Sequence, residues 1–458
     1  MRASDTERTR EPAAGGHRRQ RRGSGRGRSG RGRAHLRAVP SQAAKRTSGS
    51  RQPRRRDVGP GQFAYAALLL SALGLLAFGL VMVFSASSVR SALALGDEFA
   101  YLKRQALFAA AGVVLLMVLA RIDLRWIRRS AAPLLAASIL LLIAVLVIAT
   151  PVNGAQRWLT FGPIGIQPSE LTKVALALWL AAFLARRPAP QTLRELLSPI
   201  GVVVGVIVAL VLLEPDLGTA IVIGLIVGSI LIVSGTPMRL LVLAGSVAAA
   251  VAFLSVWLEP WRRDRILSFL DPWADPEGAG FQSVQALIAI GSGGLFGNGL
   301  GESVQKVYYL PESSTDMIFA VVAEELGLLG ALALIVLYAV FVWAGFMIAM
   351  RAADPFAKRL AVGLTTLVGS QAMLNLASVM GIAPLTGLPL PFVSYGGSHL
   401  IVALAAVGIL LNIAQDRARH AASVPDRGRG NRRPRAARAR NRGRADPAWR
   451  PRELRRFA

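Results

Sequence analysis

Cysteine is missing from all 458 residues of this chain, and charged residues are scarce in its long middle part. Without cysteine the fold has no disulfide and no thiolate metal site. The formal net charge is +27, but residues 1–57 hold 18 Lys and Arg against 4 acids, and residues 416–458 hold 15 against 4. The part between them carries a net charge of only about +2. This placement excludes a uniformly basic domain and indicates a central region that avoids charge.

Long apolar runs occupy that central region. The chain is 53% hydrophobic with a mean hydropathy of +0.47, and runs of about 18 or more apolar residues can span a bilayer. The runs cover residues 63–85, 105–120, 131–150, 171–185, 199–213, 217–233, 240–257, 317–350, 360–380 and 399–413. They predict an all-α polytopic membrane protein with about ten transmembrane helices. A long extracytoplasmic loop, residues 259–316, is predicted between helices 7 and 8.

The two ends of the chain are predicted to be tails. Residues 1–62 and 416–458 are rich in Arg, Gly, Ser and Pro, a composition typical of disorder. Their charge favours contact with anionic membrane lipids, and no nucleic acid is expected because residues 21–33 contain no aromatic side chain for base stacking. The short loops with most Lys and Arg lie on the same side as both tails, which predicts cytoplasmic termini in an inner membrane.

The most informative motif is Leu-Pro-Glu-Ser-Ser-Thr-Asp at residues 310–316, just before an apolar run. It places Glu312 and Asp316 at the outer edge of a predicted span, where ionisable groups are functional candidates. An alternative is that Ser313, Thr315 and Asp316 only cap the helix. A helix N-terminus weakens a carboxylate as a base, so catalysis by Asp316 requires desolvation or the charge of Glu312 as an opposing effect.

A second candidate site precedes the fourth run. Arg157 lies in Asn-Gly-Ala-Gln-Arg-Trp at residues 153–158, and Gln167, Glu170 and Lys173 lie in Gln-Pro-Ser-Glu-Leu-Thr-Lys at residues 167–173. Glu170 and Lys173, three residues apart, are neighbours on a helix. One interpretation is a capped helix with an internal ion pair. The other is an anion site, in which Arg157 and Lys173 neutralise a phosphate.

Three other motifs lie between or within the runs. Glu-Pro-Asp-Leu-Gly at residues 214–218 is typical of a tight turn in which Asp caps the next helix. Glycines at residues 291–299 suit close ligand approach or a re-entrant segment between helices. Glu324 and Glu325 lie at membrane depth on different helix faces, so at least one requires a partner or water.

The last motif is irregular backbone rich in proline and glycine at residues 386–399. Such backbone lines a cavity or is covered by protein. It includes Ser394, Tyr395 and Gly396, and it ends at His399, which is interpreted as a hydrogen-bonding group.

Taken together, six blocks resemble the SEDS family (shape, elongation, division and sporulation). The blocks are residues 153–173, 214–218, 265–282, 291–301, 310–327 and 387–398, in order within residues 63–415. The details resemble the division branch (FtsW type) more than the elongation branch (RodA type). Two departures are Ser314, where the family usually has histidine, and His399, where it has a small residue.

The resemblance implies a peptidoglycan glycosyltransferase that polymerises lipid II during cell division, with Asp316 as the catalytic base. Arg157, Lys173 and Lys306, or a divalent cation such as Mg²⁺ or Mn²⁺, would stabilise the leaving diphosphate. Gln167, Glu170, Glu312, Ser394, Tyr395 and Gly396 would complete the substrate site. Implied partners are a class B penicillin-binding protein, which is a transpeptidase, and other division proteins at the septum.

Three alternatives remain at this point. A lipid II flippase would also need a cationic cleft but would not depend on one carboxylate. A RodA-type polymerase would serve elongation, and a non-catalytic division scaffold would use the tails and helix surfaces.

Overall fold

A computed structural model of the chain describes residues 60–150, 156–161, 164–307 and 309–423. The two tails predicted to be disordered lie largely outside these residues. Where the boundaries can be compared, the first helix begins at Pro60 and the last ends at Ser423, so both extend slightly beyond the predicted membrane domain of residues 63–415.

The described residues form helices and one short hairpin. The elements are α1 Pro60–Leu95, α2 Ala100–Leu119, α3 Leu124–Arg129, α4 Ala131–Ile148, β1 Leu159–Phe161, β2 Ile164–Ile166, α5 Pro168–Leu184, α6 Leu193–Glu195, α7 Val202–Leu213, α8 Leu217–Ser234, α9 Met238–Trp257, α10 Pro260–Leu270, α11 Phe281–Ser292, α12 Ile318–Arg351, α13 Pro355–Val379 and α14 Gly397–Ser423. The strands are antiparallel, with Leu159 opposite Ile166 and Phe161 opposite Ile164. The all-α polytopic prediction is therefore confirmed.

Nine spans in the described part of the chain are long and apolar enough to cross a membrane. One of them is Leu193–Leu213, in which a π-helical segment, Leu196–Gly201, joins α6 to α7. The remaining predicted span, residues 171–185, corresponds to α5. This helix has 17 residues, about 25 Å at the usual helical rise. It is buried on nearly every side, which explains how it holds charged residues at a depth where lipid contact would be costly.

Burial separates an inner group of helices from an outer one. α5, α13 and α14 are mostly buried and pack on one another, whereas α9 is almost entirely exposed. The exposed side chains of α9 are apolar, as Val242, Val247 and Phe253 illustrate. Since apolar faces suit hydrocarbon, α9 lies at the lipid-facing edge of the fold.

The connection predicted as a long loop contains regular structure. It includes α10, a short turn at Pro272–Ala274 and α11, and only the part after α11 is irregular. α11 packs on α12 and on α13. The prediction of a long connection before the eighth predicted span is correct, but much of it is helical.

α12 is broken at Gly327, and the glycine-rich segment fills the break. Gly327 has φ +64° and ψ −165°, a conformation that only glycine adopts readily. Asn298 N donates to Glu324 O at 3.0 Å, Gly299 N to Glu325 O at 3.0 Å, and Leu328 N to Gly294 O at 2.9 Å. The interrupted helix bonds are thus replaced by bonds to residues 294–299, which dock on α12 as a re-entrant segment packed on a helix would.

Candidate active site

Asp316 lies two residues before the start of α12, with its side chain partly buried. Its carboxyl group faces the loop between α13 and α14, because a Cβ placed on Gly387 would lie 3.9 Å from Asp316 Oδ2. Thr315 Oγ1 is 3.4 Å from Asp316 Oδ1 and also donates to Glu312 Oε2 at 2.7 Å. The motif of residues 310–316 and the proline-glycine motif of residues 386–399 therefore form one site.

Three consecutive main-chain carbonyls hold the Asp316 segment in place. Ser314 O accepts from Tyr395 N at 2.8 Å, Thr315 O accepts from Ser394 Oγ, and Asp316 O accepts from Asn375 Nδ2 at 2.7 Å. The residue in the cap position of α12 is Met317, and no side chain caps the helix there. The alternative in which Asp316 serves as a helix cap is therefore wrong.

The environment raises the pKa of Asp316 to about 7. Burial of the carboxyl is the main cause, and the negative charge of Glu312 is the second. A hydrogen bond from the main-chain amide of Asp316, the positive charge of Arg265 and the contact with Thr315 oppose the rise without cancelling it. Burial and the charge of Glu312 are the two effects that the sequence analysis identified as necessary for Asp316 to act as a base. A pKa near the working pH suits general-base chemistry.

Arg265 lies near the carboxylate, and Arg157 lies near Arg265. The charge of Arg265, on α10, acts on both Asp316 and Arg157. Arg265 Nη1 donates to Leu385 O at 3.4 Å, and Arg157 Nε donates to Glu214 O at 2.9 Å. Arg265 was not among the predicted site residues, although it begins the block of residues 265–282 that carries the family resemblance. The two guanidinium groups give this side of the site positive charge.

The turn at residues 214–218 is the helix cap that the sequence favoured. Asp216 Oδ1 accepts from Thr219 N at 3.0 Å, and Asp216 Oδ2 accepts from Thr219 Oγ1 at 2.8 Å. A Cβ on Gly218 would lie 3.1 Å from Thr386 O, so this turn packs on the loop that also contacts Asp316. The turn motif is thus part of the same site.

Glu214, in the same turn, is fully buried. Within the described residues neither of its carboxyl oxygens has a hydrogen-bond partner. Burial raises its pKa to about 8, the charge of Asp216 adds to the rise, and Arg157 opposes it. A pKa in this range favours the protonated form of the carboxyl at neutral pH.

Glu170 and Lys173 form the internal ion pair that the sequence offered as one interpretation. Lys173 Nζ lies 2.8 Å from Glu170 Oε1 and 3.2 Å from Gln371 Oε1 on α13. Both charged side chains are buried, and Gln167, just before α5, is buried as well. Lys173 is thus neutralised within the bundle, which differs from the expectation that it faces a diphosphate.

Lys306 likewise has partners inside the protein. Its Nζ donates to Glu325 Oε1 at 2.7 Å, to Gly301 O at 2.7 Å and to Ser85 Oγ on α1 at 3.2 Å. An ammonium group has three donors, and all three are used. The side chain is buried, so in this structure Lys306 supports the fold and does not face an open site.

The carboxylate of Glu324 accepts hydrogen bonds from the residues just before Lys306. It accepts from Val304 N at 3.0 Å, from Gln305 N at 3.4 Å and from Ser303 Oγ. Lys306 and Ser85 satisfy the adjacent Glu325. The prediction that at least one of these acids has a partner is confirmed for both.

Side chains of α2 contact the residues around Ser394. Gln105 on α2 donates to Ser394 O at 3.2 Å and accepts from Gly396 N at 3.1 Å. The ring of Tyr101 contacts the ring of Tyr395 edge-on at 4.8 Å. Ser394 is buried, whereas Tyr395 and Gly396 are half-buried. Gln105 and Asn375 were not predicted, since single polar residues inside apolar runs carry no local signal.

His399 does not replace the histidine usual beside the aspartate. Its ring lies near Glu170 and Lys173, whose charges act on it, and a Cβ on Gly396 would lie 2.5 Å from its Nδ1. His399 Nε2 is buried without a hydrogen-bond partner among the residues the structure describes. His399 also forms a hydrogen bond with the backbone of Ser394, so it belongs to the polar interior of the bundle and reaches the Asp316 site only through Ser394.

A metal-binding cluster of three or more His, Asp or Glu side chains is not found in the ranges that the structure covers. Near Asp316 the only acidic neighbour identified by its charge is Glu312. The requirement for a divalent cation stays a prediction.

Comparison with known proteins agrees with this arrangement. The chain matches the FtsW/RodA/SpoVE family, described as cell cycle proteins, over residues 66–419. It is 42% identical over 353 residues to the probable peptidoglycan glycosyltransferase FtsW of Geobacter sulfurreducens, covering 76% of this chain and 94% of that protein. It is 39% identical over 362 residues to the stage V sporulation protein E of Bacillus subtilis, covering 76% and 96%.

Solved structures show the same similarity. One is described as "Structural coordination of polymerization and crosslinking by a peptidoglycan synthase complex", with a TM-score of 0.65 and 32% identity over 76% of this chain and 97% of that chain. Another is the rod shape determining protein RodA of Thermus thermophilus, with a TM-score of 0.57 and 30% identity over 76% and 96%. This ten-run membrane chain, with Asp316 held between its two signature loops, therefore belongs to the FtsW/RodA/SpoVE (SEDS) family.

Proposed function

We propose that this protein is a peptidoglycan glycosyltransferase that polymerises lipid II during cell division, with Asp316 as the general base. The observation that carries the proposal is the partly buried Asp316 carboxyl, whose pKa is raised to about 7 and which lies near Arg265. Relatives named as FtsW glycosyltransferases support the reaction and the division role.

In the proposed reaction Asp316 takes the proton from the 4-hydroxyl of the acceptor GlcNAc. The oxygen of that hydroxyl forms a bond to the anomeric carbon of the donor MurNAc, and the bond from this carbon to the diphosphate oxygen breaks. The diphosphate leaves with the electron pair, so no oxidant or reductant is needed. The raised pKa lets the carboxylate accept a proton and release it again near neutral pH.

The leaving diphosphate requires stabilisation of its negative charge. Arg265, whose charge acts on Asp316, and Arg157, whose charge acts on Arg265, are the cations we propose for this role. Lys173 and Lys306 are instead paired with buried glutamates. A guanidinium group suits a phosphate because it offers several donors in one plane. We therefore assign the diphosphate to Arg265 and Arg157, and give Gln167, Glu170, Lys173 and Lys306 supporting roles within the fold.

A divalent cation is compatible with this assignment. Mg²⁺ typically binds one or two carboxylates together with phosphate oxygens from a substrate. Because no cluster of three or more such groups is found in the described part of the chain, the cation would be held mainly by the phosphate oxygens, and it would supply further charge stabilisation to the diphosphate. Tyr395 and Gly396, half-buried at the edge of the site, remain candidates for contact with the sugar.

The cellular setting is also part of the proposal. With α5 counted as a tenth crossing, both termini lie in the cytoplasm, and Asp316 faces the outer side of the inner membrane. The protein would act at the division septum with a class B penicillin-binding protein. A solved relative described as part of a peptidoglycan synthase complex supports such a partner.

The test of the reaction uses purified protein with its transpeptidase partner and labelled lipid II. We expect glycan chains from the wild type and none from Asp316→Asn, because an amide cannot accept the proton. Glu302→Gln is the matched control: Glu302 is an exposed acid in the same connection, so this variant should polymerise normally. Normal polymerisation by Asp316→Asn would contradict the assigned base, and transbilayer movement without polymer would favour a flippase.

The test of sidedness exploits the absence of cysteine. Glu277→Cys and Pro188→Cys place single thiols at exposed positions in two different connections. In cells whose outer membrane has been made permeable, a maleimide that cannot cross the inner membrane should label the first variant and not the second. The reverse pattern would place Asp316 in the cytoplasm and exclude the proposed reaction.

A further inference from the structure

Asn375 joins the two segments that surround the Asp316 carboxyl. It lies on α13 and is only 1% exposed. Its Nδ2 donates to Asp316 O at 2.7 Å and to Leu388 O at 2.8 Å. Leu388 follows Gly387, the residue that faces Asp316 Oδ2. Both N–H groups of the Asn375 amide therefore donate hydrogen bonds to main-chain carbonyls of the site.

The bond to Asp316 O changes where α12 begins. In a continuous helix the amide of Ala320 would donate to the carbonyl four residues earlier, which is Asp316 O. Ala320 N instead donates to Met317 O at 3.0 Å, and Asp316 O is taken by Asn375. Ser394 and Tyr395 take the two preceding carbonyls in the same way. The helix therefore starts at Ile318, and Asp316 stays outside it.

This arrangement decides what the carboxylate can do. A carboxylate in the cap position of α12 would accept hydrogen bonds from first-turn amides and interact with the positive end of the helix. Both effects stabilise the ionised form, which makes a weaker base, and they would turn the side chain away from Gly387. The hydrogen bond from Asn375 to Asp316 O keeps Asp316 out of the cap position and so prevents both effects.

The amide of Asn375 is not explained by packing alone. Its Oδ1 is buried and has no partner among the described residues, and an unpaired buried acceptor costs stability. An apolar side chain of similar size would avoid that cost but would lose both donated bonds. The donors, and not the volume of the side chain, are what the site uses.

We propose that Asn375 is a positioning residue for glycosyl transfer, which keeps Asp316 out of the first turn of α12 and directed toward the substrate site. The inference rests on the proposed function for its link to catalysis. Asn375 does not contact the reacting atoms in this account, because it acts only through the main chain of Asp316 and Leu388.

The test compares Asn375→Leu, which keeps the size of the side chain and removes its donors, with the wild type. We expect kcat for lipid II polymerisation to fall by roughly tenfold or more, since small displacements of a catalytic group carry losses of this order. KM should stay unchanged. The acidic midpoint of the kcat–pH profile should move to lower pH, because a capping carboxylate loses its proton more readily.

Ser370→Ala is the matched control. Ser370 lies on the same helix, is also buried and donates within the helix to Leu367 O at 3.3 Å, so its loss should alter neither kcat nor the midpoint. A folded Asn375→Leu variant with the wild-type kcat and midpoint would overturn the inference. If the leucine variant does not fold, Asn375→Ala, whose smaller side chain leaves space for water, is measured and interpreted in the same way.

A second readout does not depend on activity. A hydrophobic carbodiimide reacts with protonated carboxyl groups, and peptide mass spectrometry reports its attachment at position 316. The pH midpoint of this labelling should be lower in Asn375→Leu than in the wild type, with Asp316→Asn as the blank. An unchanged midpoint overturns the inference even if the wild type proves not to polymerise lipid II, so failure of the proposed function is seen separately.

Discussion

Removal of the Lys306 ammonium group tests whether this lysine supports the fold or binds substrate. Lys306 Nζ lies 2.7 Å from Glu325 Oε1, and the side chains are 2% and 0% exposed. Glu325 also accepts from Ser85 Oγ at 2.6 to 2.7 Å. In Lys306→Met the glutamate would remain buried with only a neutral hydroxyl group as a partner.

The expected cost follows from this burial. Breaking a buried ion pair by removing one partner typically costs about 3 to 5 kcal/mol, because the remaining charge is uncompensated. Replacing both partners with neutral residues is often close to neutral. We therefore expect Lys306→Met to lose about 3 to 5 kcal/mol of unfolding free energy. Adding Glu325→Gln to this variant should restore much of the loss.

The assay is chemical denaturation of the purified protein in mild detergent, with the single and double variants measured as a cycle. Lys103→Met is the matched control, because Lys103 pairs with Asp97 at 2.8 Å but its side chain is 68% exposed; screening by water should leave stability unchanged. A stable Lys306→Met variant with weakened lipid II binding would refute the structural role and return Lys306 to the substrate site.

Two further predictions concern the pKa of Asp316 and the break in α12. Glu312→Gln removes a negative charge that raises the pKa of Asp316. Asp316 should therefore lose its proton at lower pH, and the acidic limb of the kcat–pH profile should shift to lower pH. An unchanged profile would contradict the assigned cause. Gly327→Ala should destabilise the protein by about 2 kcal/mol or more, because φ is +64° and the new Cβ would lie 2.4 Å from Gly297 N. Gly224→Ala, with open space around its Cβ, should be nearly neutral in the same denaturation assay.

The helices could largely be predicted from the sequence because hydrocarbon admits only long apolar segments with satisfied backbones. The apolar run at residues 171–185 also corresponds to a helix, but its depth of burial was not visible. The charges of Glu170 and Lys173 indicate a partner or a surface position, and only the folded bundle shows that Gln371 from α13 completes the pair. Such a partner is distant in sequence and follows no periodic pattern.

The candidate site was predicted in part for a similar reason. Asp316 and the two effects on its pKa could be predicted locally, since Glu312 is close in sequence and the apolar run follows directly. Asn375, Gln105 and Arg265 come from other helices, and each is a single polar or charged residue with an ordinary structural interpretation. Their roles depend on which carbonyls and charges they meet in three dimensions.

The break at Gly327 shows a different limit. A re-entrant segment was predicted from the glycines at residues 291–299, but its docking position was not, because one glycine in a long apolar run is typical of an uninterrupted transmembrane helix. The positive φ of Gly327 appears only when residues 294–299 provide alternative backbone partners. Sequence periodicity contains no information about such an exchange of bonds.

The interrupted α12 also sets an order for biosynthesis. Residues 294–299 leave the ribosome before α12, yet several of their backbone groups find partners on α12. Exposed to lipid without these partners, each such group would cost several kcal/mol. A nascent chain that ends before residue 327 must therefore keep this glycine segment in water, and this part of the domain is completed only once α12 has inserted.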